Sequence, residues 1–377
     1  MKQIYFFLTF WVTVLLLSAC SGKNSTASGS AQGDTIPLHY SANLSLIDYE
    51  DYIVAQLRNP WDTAKILHTY VLVDKKQPLP QEVPQGTLVR TPLSKAVIYS
   101  SVHCSLLKDF GGLNSIGGVC DLKYIKLLEI EEGCRNGTIA DVGDGMNPNI
   151  EKIIDLHPDA ILLSPFENSG GYGRVEKLNV PIIECADYME TSSLGRAEWM
   201  RFYGLLFGKK TEADAMFASI ERNYKDLQEL VKPISFAPSV MCDLKTSSTW
   251  YTPGGNSTIA KLYSDAGANY IFREDTHSGS LPYPFEVIFE KGQQTDFWLI
   301  RYNQPVDKTY GELEEFAPYS GFRAFKERNI YGCNTNRVPF YEETPFHPDW
   351  LLKDLIKIFH PSLLEGYELR YYNKLAE

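Results

Sequence analysis

Residues Asn147–Pro165 read NPNIEKIIDLHPDAILLSP, and far downstream Tyr283–Tyr302 read YPFEVIFEKGQQTDFWLIRY. The two follow one plan. Each opens in a loop with proline, reaches a glutamate (Glu151, Glu286), makes a short amphipathic stretch of helix, and ends in an acidic residue (Asp159, Asp296) before a run of large apolar residues. A helix feeding a buried strand is the repeating unit of a parallel sheet covered on both faces. Its double occurrence places the two stretches at equivalent positions in two similar domains.

The first stretch belongs to a series. From Leu88 onward, short apolar runs alternate with helical ones: KAVIYSS, HCSLLKDFGGL, SIGGVCD, YIKLLEIEEG, IADVGD, NIEKIIDL, DAILLSP and PIIECAD. The second stretch sits in a like series after Pro233: PSVMCDL, NSTIAKLYSDAG, ANYIF, FEVIFEKG, DFWLIRY, FKERNIYGC and a closing helix through Asp349 to Phe359. Between the series the chain is helical. A run over Ser193–Phe207 stops at Gly208, and a second helix opens at Thr211 with Asp214 three residues on, a capping-box spacing. In it Ala213, Met216, Phe217, Ile220, Tyr224, Leu227, Leu230 and Val231 keep the spacing of one buried stripe until Pro233. At 1.5 Å per residue such a helix spans about 30 Å, enough to bridge two lobes as a stiff strut. Ahead of the first series, Tyr49–Leu57 and Ile66–Val73 flank the turn Asn59-Pro60-Trp61-Asp62, which predicts an opening hairpin.

The expected architecture is therefore α/β: two lobes with central, mostly parallel sheets joined by one long rigid helix. Residues 37–208 form the N-terminal lobe with its hairpin, 209–233 the connecting helix and 234–377 the C-terminal lobe. The composition fits. A chain of 377 residues exceeds the roughly 100 to 200 of one domain, and 44% hydrophobic with 13% aromatic residues supply two cores. A formal net charge of −11 without any basic run argues against a nucleic-acid partner, since phosphate binding needs clustered Lys and Arg.

The N-terminus carries an address. Met1-Lys2-Gln3 is a short positive head, Ile4–Leu17 is almost wholly apolar, and Leu17-Ser18-Ala19-Cys20 follows. The run is short for a membrane span, which takes about 20 apolar residues. It looks like a bacterial lipoprotein signal over 1–20, with Cys20 as the lipidated residue. The Ser- and Gly-rich stretch after it reads as a flexible tether over 21–36. Six further cysteines show no CxxC pair and sit mostly in apolar surroundings, as buried free thiols do, with one or two disulfides open.

These features resemble a known family. The lipobox, Gly143–Asn149 (GDGMNPN) leading into Glu151, Leu156–Leu162 (LHPDAIL), the strut helix, Pro253–Ser257 (PGGNS) and His347–Leu352 (HPDWLL) together resemble the substrate-binding proteins of iron-siderophore and cobalamin ABC importers. The resemblance covers roughly Leu88 to the C-terminus. It implies a monomer, lipid-anchored in the periplasm, with no resident cofactor, whose two lobes hold a metal chelate in the cleft between them. It also implies a permease dimer as partner, met by one glutamate on each lobe tip, which the motif match gives as Glu151 and Glu286. The opening hairpin and the aromatic richness depart from the family pattern, so the ligand does not carry over with the fold.

Open parallel sheets bind ligands beyond the carboxyl ends of their strands. In the first lobe those ends offer Ser101 and His103, Phe166 and Tyr172, and Tyr188. In the second they offer Trp250 and Tyr251, His277, and Arg301 and Tyr302. Flat aromatic faces suit a corrin, porphyrin or catecholate, and a cation suits an acidic chelate. His103 also fits a satisfied structural histidine, and Arg301 an internal ion pair. Trp250-Tyr251, a tandem before a Pro-Gly-Gly turn, is hard to bury locally. An enzyme would show a nucleophile with its base, and no such motif occurs. A bare zinc or manganese site would need convergent ligands, and the seven histidines are scattered. Iron chelates are the wider class and come first, with cobalamin or haem next.

Overall fold

The computed structural model describes Gly33–Glu167 and Gly171–Glu377. The expected signal sequence, Cys20 and nearly all of the expected tether lie outside these residues. Thr35–Glu377 form one compact unit built around two parallel sheets.

An N-terminal sheet precedes both. Its strands β1 (Asp34–Ile36), β2 (Leu44–Asp48), β3 (Ile53–Arg58), β4 (Ile66–Asp74) and β5 (Thr87–Thr91) lie in chain order. β3 and β4 are the hairpin expected from sequence, antiparallel from Ile53↔Leu72 to Arg58↔Ile66. The hairpin is part of a larger sheet, because β2 pairs on one side and β5, parallel, on the other. One face of this sheet, through Leu46, Ala55, Leu57, Tyr70 and Leu72, joins the same core as Trp199 and Phe202. The preceding segment His39–Asn43 is gripped by two buried carboxylates. Glu198 accepts the backbone N–H groups of His39, Tyr40 and Ser41, and Glu190 accepts those of Ala42 and Asn43 and the Ser41 hydroxyl.

The sheet of the first lobe uses β6 (Ala96–Ile98), β7 (Ile116–Val119), β8 (Ala140–Asp141), β11 (Ala160–Leu163) and β12 (Ile182–Glu184); a small hairpin of β9 (Gly143–Asp144) and β10 (Asn147–Pro148) stands beside it. The order is β12-β11-β6-β7-β8 and every pairing is parallel. β6, β7 and β11 are buried along their whole length, as helices on both faces require.

The second lobe uses β13 (Ser239–Cys242), β16 (Asn269–Tyr270), β18 (Phe297–Tyr302), β19 (Ile330–Asn334) and β20 (Asn373–Lys374), in the order β16-β13-β18-β19-β20. Only β20 is antiparallel among these. A three-stranded antiparallel sheet of β14 (Lys245–Thr246), β15 (Thr249–Pro253) and β17 (Ser280–Tyr283) packs over it.

The doubled sequence motif is a doubled lock. In both lobes its strand lies next to the opening strand, β11 beside β6 and β18 beside β13. In both, the aspartate just before that strand ties down the start of its neighbour. Asp159 Oδ2 accepts from the Ser94 amide at 2.7 Å and hydroxyl at 2.8 Å, and Asp296 Oδ2 accepts from the Ser239 amide at 2.8 Å and hydroxyl at 2.7 Å. Both glutamates fall in the first turn of the preceding helix, Ile150–Leu156 and Phe285–Gly292, where the helix dipole favours an acid.

Between the lobes runs the helix Lys210–Val231, 22 residues long. Ala213, Phe217, Ile220, Tyr224 and Val231 are buried as the stripe requires, whereas Leu230 is exposed. The expected Thr211 capping box does not form, since the helix begins one residue earlier and has no side-chain cap. A second crossing lies at Phe340–Trp350, where Phe346 packs its ring against His103 and Tyr203 of the first lobe and His347 Nε2 stands 3.0 Å from Asp109.

Candidate functional site

In each lobe the winding of the chain reverses beside the opening strand, between β6 and β11 and between β13 and β18. A crevice opens beyond the strand ends at such a reversal, and cavities occur at both. At the first, a cavity of about 350 Å³ is lined by Tyr99 after β6, Leu163 and Phe166 at and after β11, Met146, Tyr172 and Arg174. At the second, a cavity of about 520 Å³ is lined by Asp243 after β13, Arg301 in β18, Tyr251, Ser257, Thr258 and Tyr341. A third, of about 250 Å³, takes Val102 and Arg196 from the first lobe and Thr258, Arg301, Phe340 and Tyr341 from the second, so it lies between the two.

The C-terminal wall is built on one ion pair. Arg301 donates to both carboxylate oxygens of Asp243, Nε at 2.9 Å and Nη2 at 2.7 Å, in the bidentate form that fixes the plane of a guanidinium. Asp243 is a non-glycine residue with φ of 64° at the end of β13, a strained conformation that needs support. Two indoles supply it. Trp250 Nε1 donates to the Cys242 carbonyl and Trp298 Nε1 to that of Asp243, and the two rings stack with centroids 5.6 Å apart. Tyr251 and Tyr341, 53% and 52% exposed, present free aromatic faces on the same cavity.

Trp250 therefore does not face a ligand. It is fully buried, because strand alternation in β15 turns Trp250 into the core and Tyr251 outward. The tandem is buried and exposed by turns, which its sequence position before a Pro-Gly-Gly turn did not reveal. The same alternation separates Arg301 from Tyr302. Tyr302 faces away from these cavities and its hydroxyl accepts the Lys308 amide. His277 lines none of the three cavities; it sits on an exposed turn, 3.1 Å from Asp275.

On the N-terminal wall, Phe166 and Tyr172 line the first cavity. The Tyr172 hydroxyl donates to buried Glu184 at 2.6 Å, and burial, followed by that contact, pushes its pKa up. Burial, and after it the neighbouring Cys120, likewise raises the Tyr99 phenol. Tyr188 is partly exposed, and its hydroxyl is spent on the Pro165 carbonyl. Ser101 is half-buried beside Glu342 of the second lobe, whose carboxyl pKa is raised by burial.

His103 is structural rather than ligand-facing. Only 4% exposed, it stands 3.0 Å from Asp187 and 3.1 Å from the Tyr203 hydroxyl. Burial opposes its charging, but negative charge at the Cys185 sulfur and on the Asp187 carboxylate outweighs that and holds its pKa up, to about 10. Asp187 is held low, to about 2, by His103 and then Arg196 against the cost of burial. Arg196, Asp243 and Tyr341 were missed from sequence. Arg196 lies inside a helix and Tyr341 in the short helix Phe340–Glu343, both away from any strand end, while the acid closing VMCDL was a readable partner for Arg301.

Glu151 and Glu286 are both exposed, and neither side chain has a partner among the described residues. The six described cysteines are free thiols, and no three His, Cys, Asp or Glu side chains converge as metal ligands among the described residues.

Known proteins are similar to this chain in sequence or in fold. An uncharacterized lipoprotein of Methanocaldococcus jannaschii is 24% identical over 361 residues, 89% of this chain and 85% of that one. A periplasmic haem-binding protein of Pseudomonas aeruginosa superposes with a TM-score of 0.58 at 14% identity, covering 76% of this chain and 99% of that one. The molybdate-binding protein MolA of Haemophilus influenzae gives 0.58 at 15% identity, over 74% and 90%. Residues 97–336 match the periplasmic binding protein family along both sheets and the helix between them, and the chain belongs to that family of solute-binding components of ABC importers.

Proposed function

We propose that this protein captures a metal chelate, a ferric siderophore first among them, in the cleft between its lobes and delivers it to an ABC permease. The observation that carries this reading is the C-terminal wall: Arg301, locked by Asp243, lines a cavity of about 520 Å³ together with the exposed Tyr251 and Tyr341. Aromatic faces beside a fixed cation suit a flat or ring-bearing acidic chelate. The second reading, cobalamin or haem, is supported by the aromatic lining of the N-terminal cavity, where Tyr99, Phe166 and Tyr172 meet. Delivery is assigned to Glu151 and Glu286, and attachment to a membrane to a lipid on Cys20.

Equilibrium titration of the protein lacking residues 1–20 against ferric siderophores, haem and cyanocobalamin tests the reading. Saturable one-to-one binding of a ferric siderophore is expected. Tight binding of haem or cobalamin alone would transfer the assignment to that class, and indifference to every chelate would end it. Replacing Cys20 with Ser should release the protein from membranes, and retention would refute the anchor.

A further inference from the structure

The cavity between the lobes has a second arginine that differs from Arg301 in one respect. Arg196, on the helix Ser193–Glu198, lines the same 250 Å³ space as Arg301 but comes from the opposite lobe. Its Nε donates to Asp187 at 3.0 Å. Among the described residues its two terminal nitrogens have no hydrogen-bond partner, and the side chain is 24% exposed. Arg301, by contrast, gives Nε and Nη2 to a carboxylate that has no other cation.

The carboxylates behind the two arginines differ as well. Asp243 serves Arg301 alone. Asp187 is shared: its Oδ1 accepts the Tyr203 hydroxyl at 2.8 Å and faces His103 at 3.0 Å, while Oδ2 takes Arg196. Asp187 is thus divided among three partners and takes one nitrogen of Arg196, while the two terminal nitrogens are left for an anion in the cavity. A lone buried ion pair would serve packing as well.

We propose that Arg196 and Arg301, one from each lobe, form a divided subsite for the acidic groups of the bound chelate, so that the cleft prefers an anionic chelate to an uncharged one. Arg196 supplies free donors, and Arg301 a pre-oriented plane. A ligand bearing oxyanions on one edge bridges the two guanidinium groups. This inference rests on the reading of the cleft as a chelate site.

The test is calorimetric titration of the protein lacking residues 1–20 with two matched pairs of probes: a trianionic ferric tris-catecholate against an uncharged ferric tris-hydroxamate, and haem against cyanocobalamin. The anionic member of at least one pair should bind more tightly, and its affinity should fall with added salt. Arg196→Gln should weaken that member about tenfold and leave any uncharged probe within about twofold, while Arg196→Lys keeps most of the preference. Equal affinities within each pair, or a Gln variant that loses charged and uncharged probes alike or neither, would overturn the divided subsite and leave the chelate reading standing. Failure of all four probes to bind would remove the chelate reading and this inference with it. Arg196 is partly exposed and its variants are checked for folding by their unfolding midpoints.

Discussion

The two lobes share a motif and differ in winding. In the N-terminal lobe the opening strand β6 carries β7 and β8 on one side before the chain returns to lay β11 on the other; in the C-terminal lobe β13 carries only β16 before β18 crosses over. The strand laid across the reversal is nonetheless set by the same device in both, an aspartate that fastens the first residues of its neighbour. A local lock can thus be kept while the path to it changes, because it depends on one strand pair and not on the order of the rest. The walls built above it then diverge: the N-terminal one is largely aromatic and apolar around Tyr99, Phe166 and Tyr172, and the C-terminal one is polar around Arg301.

The sharpest way to break the comparison is at the support of the C-terminal wall. Trp250→Ala should cost about 3 to 5 kcal/mol in chemical denaturation, as expected for a fully buried indole, whereas Tyr251→Ala should leave stability nearly unchanged and weaken ligand binding. Equal stability of the two variants would return Trp250 to the cleft. Next in size, Asp159→Ala and Asp296→Ala should each destabilise by about 2 kcal/mol through lost charge-assisted hydrogen bonds. If the locks are equivalent, the two losses will match within about 0.5 kcal/mol and add in the double variant. A large loss from one only would show that the lobes are held differently.

The walls should also answer differently to pH. His103 has its folded pKa raised to about 10 from an unfolded value of about 6.5, so its contribution is complete below pH about 6.5 and fades as pH rises. Between pH 6.5 and 8 stability should fall by about 1 to 2 kcal/mol, and His103→Gln should flatten that slope. Arg301→Gln leaves His103 and its hydrogen-bond partners untouched and should leave the slope intact. Smallest for the isolated protein, Glu151→Lys and Glu286→Lys should change stability by no more than about 1 kcal/mol, the helix-dipole term. Uptake by cells should fall in each and fall further in the double variant; normal uptake would show that the glutamates are no docking pair.

Much of this was legible in sequence because it is periodic. The alternation of apolar runs and helices gave both sheets, and the stripe from Ala213 to Val231 gave the long helix. β8 and β16, at two residues each, had only their place in the series to mark them. The five-stranded N-terminal sheet appeared only as its central hairpin, since β5 joins β4 in parallel, a pairing no turn signal announces. In the site, strand alternation separated residues that are neighbours in sequence: Tyr251 from Trp250, and Arg301 from Tyr302. Arg196 and Tyr341 reach the cleft from helices, so listing strand ends could not find them.

The grip of Glu190 and Glu198 on His39–Asn43 has a mechanical consequence. Six hydrogen bonds to two carboxylates lie along five consecutive residues. Tension arriving from the N-terminal side, once past β1, would meet these bonds before it reached β2. Its path through Glu198 enters the helix Ser193–Glu198, which also carries Arg196, so a pull at the N-terminal end would bear on a wall of the cleft.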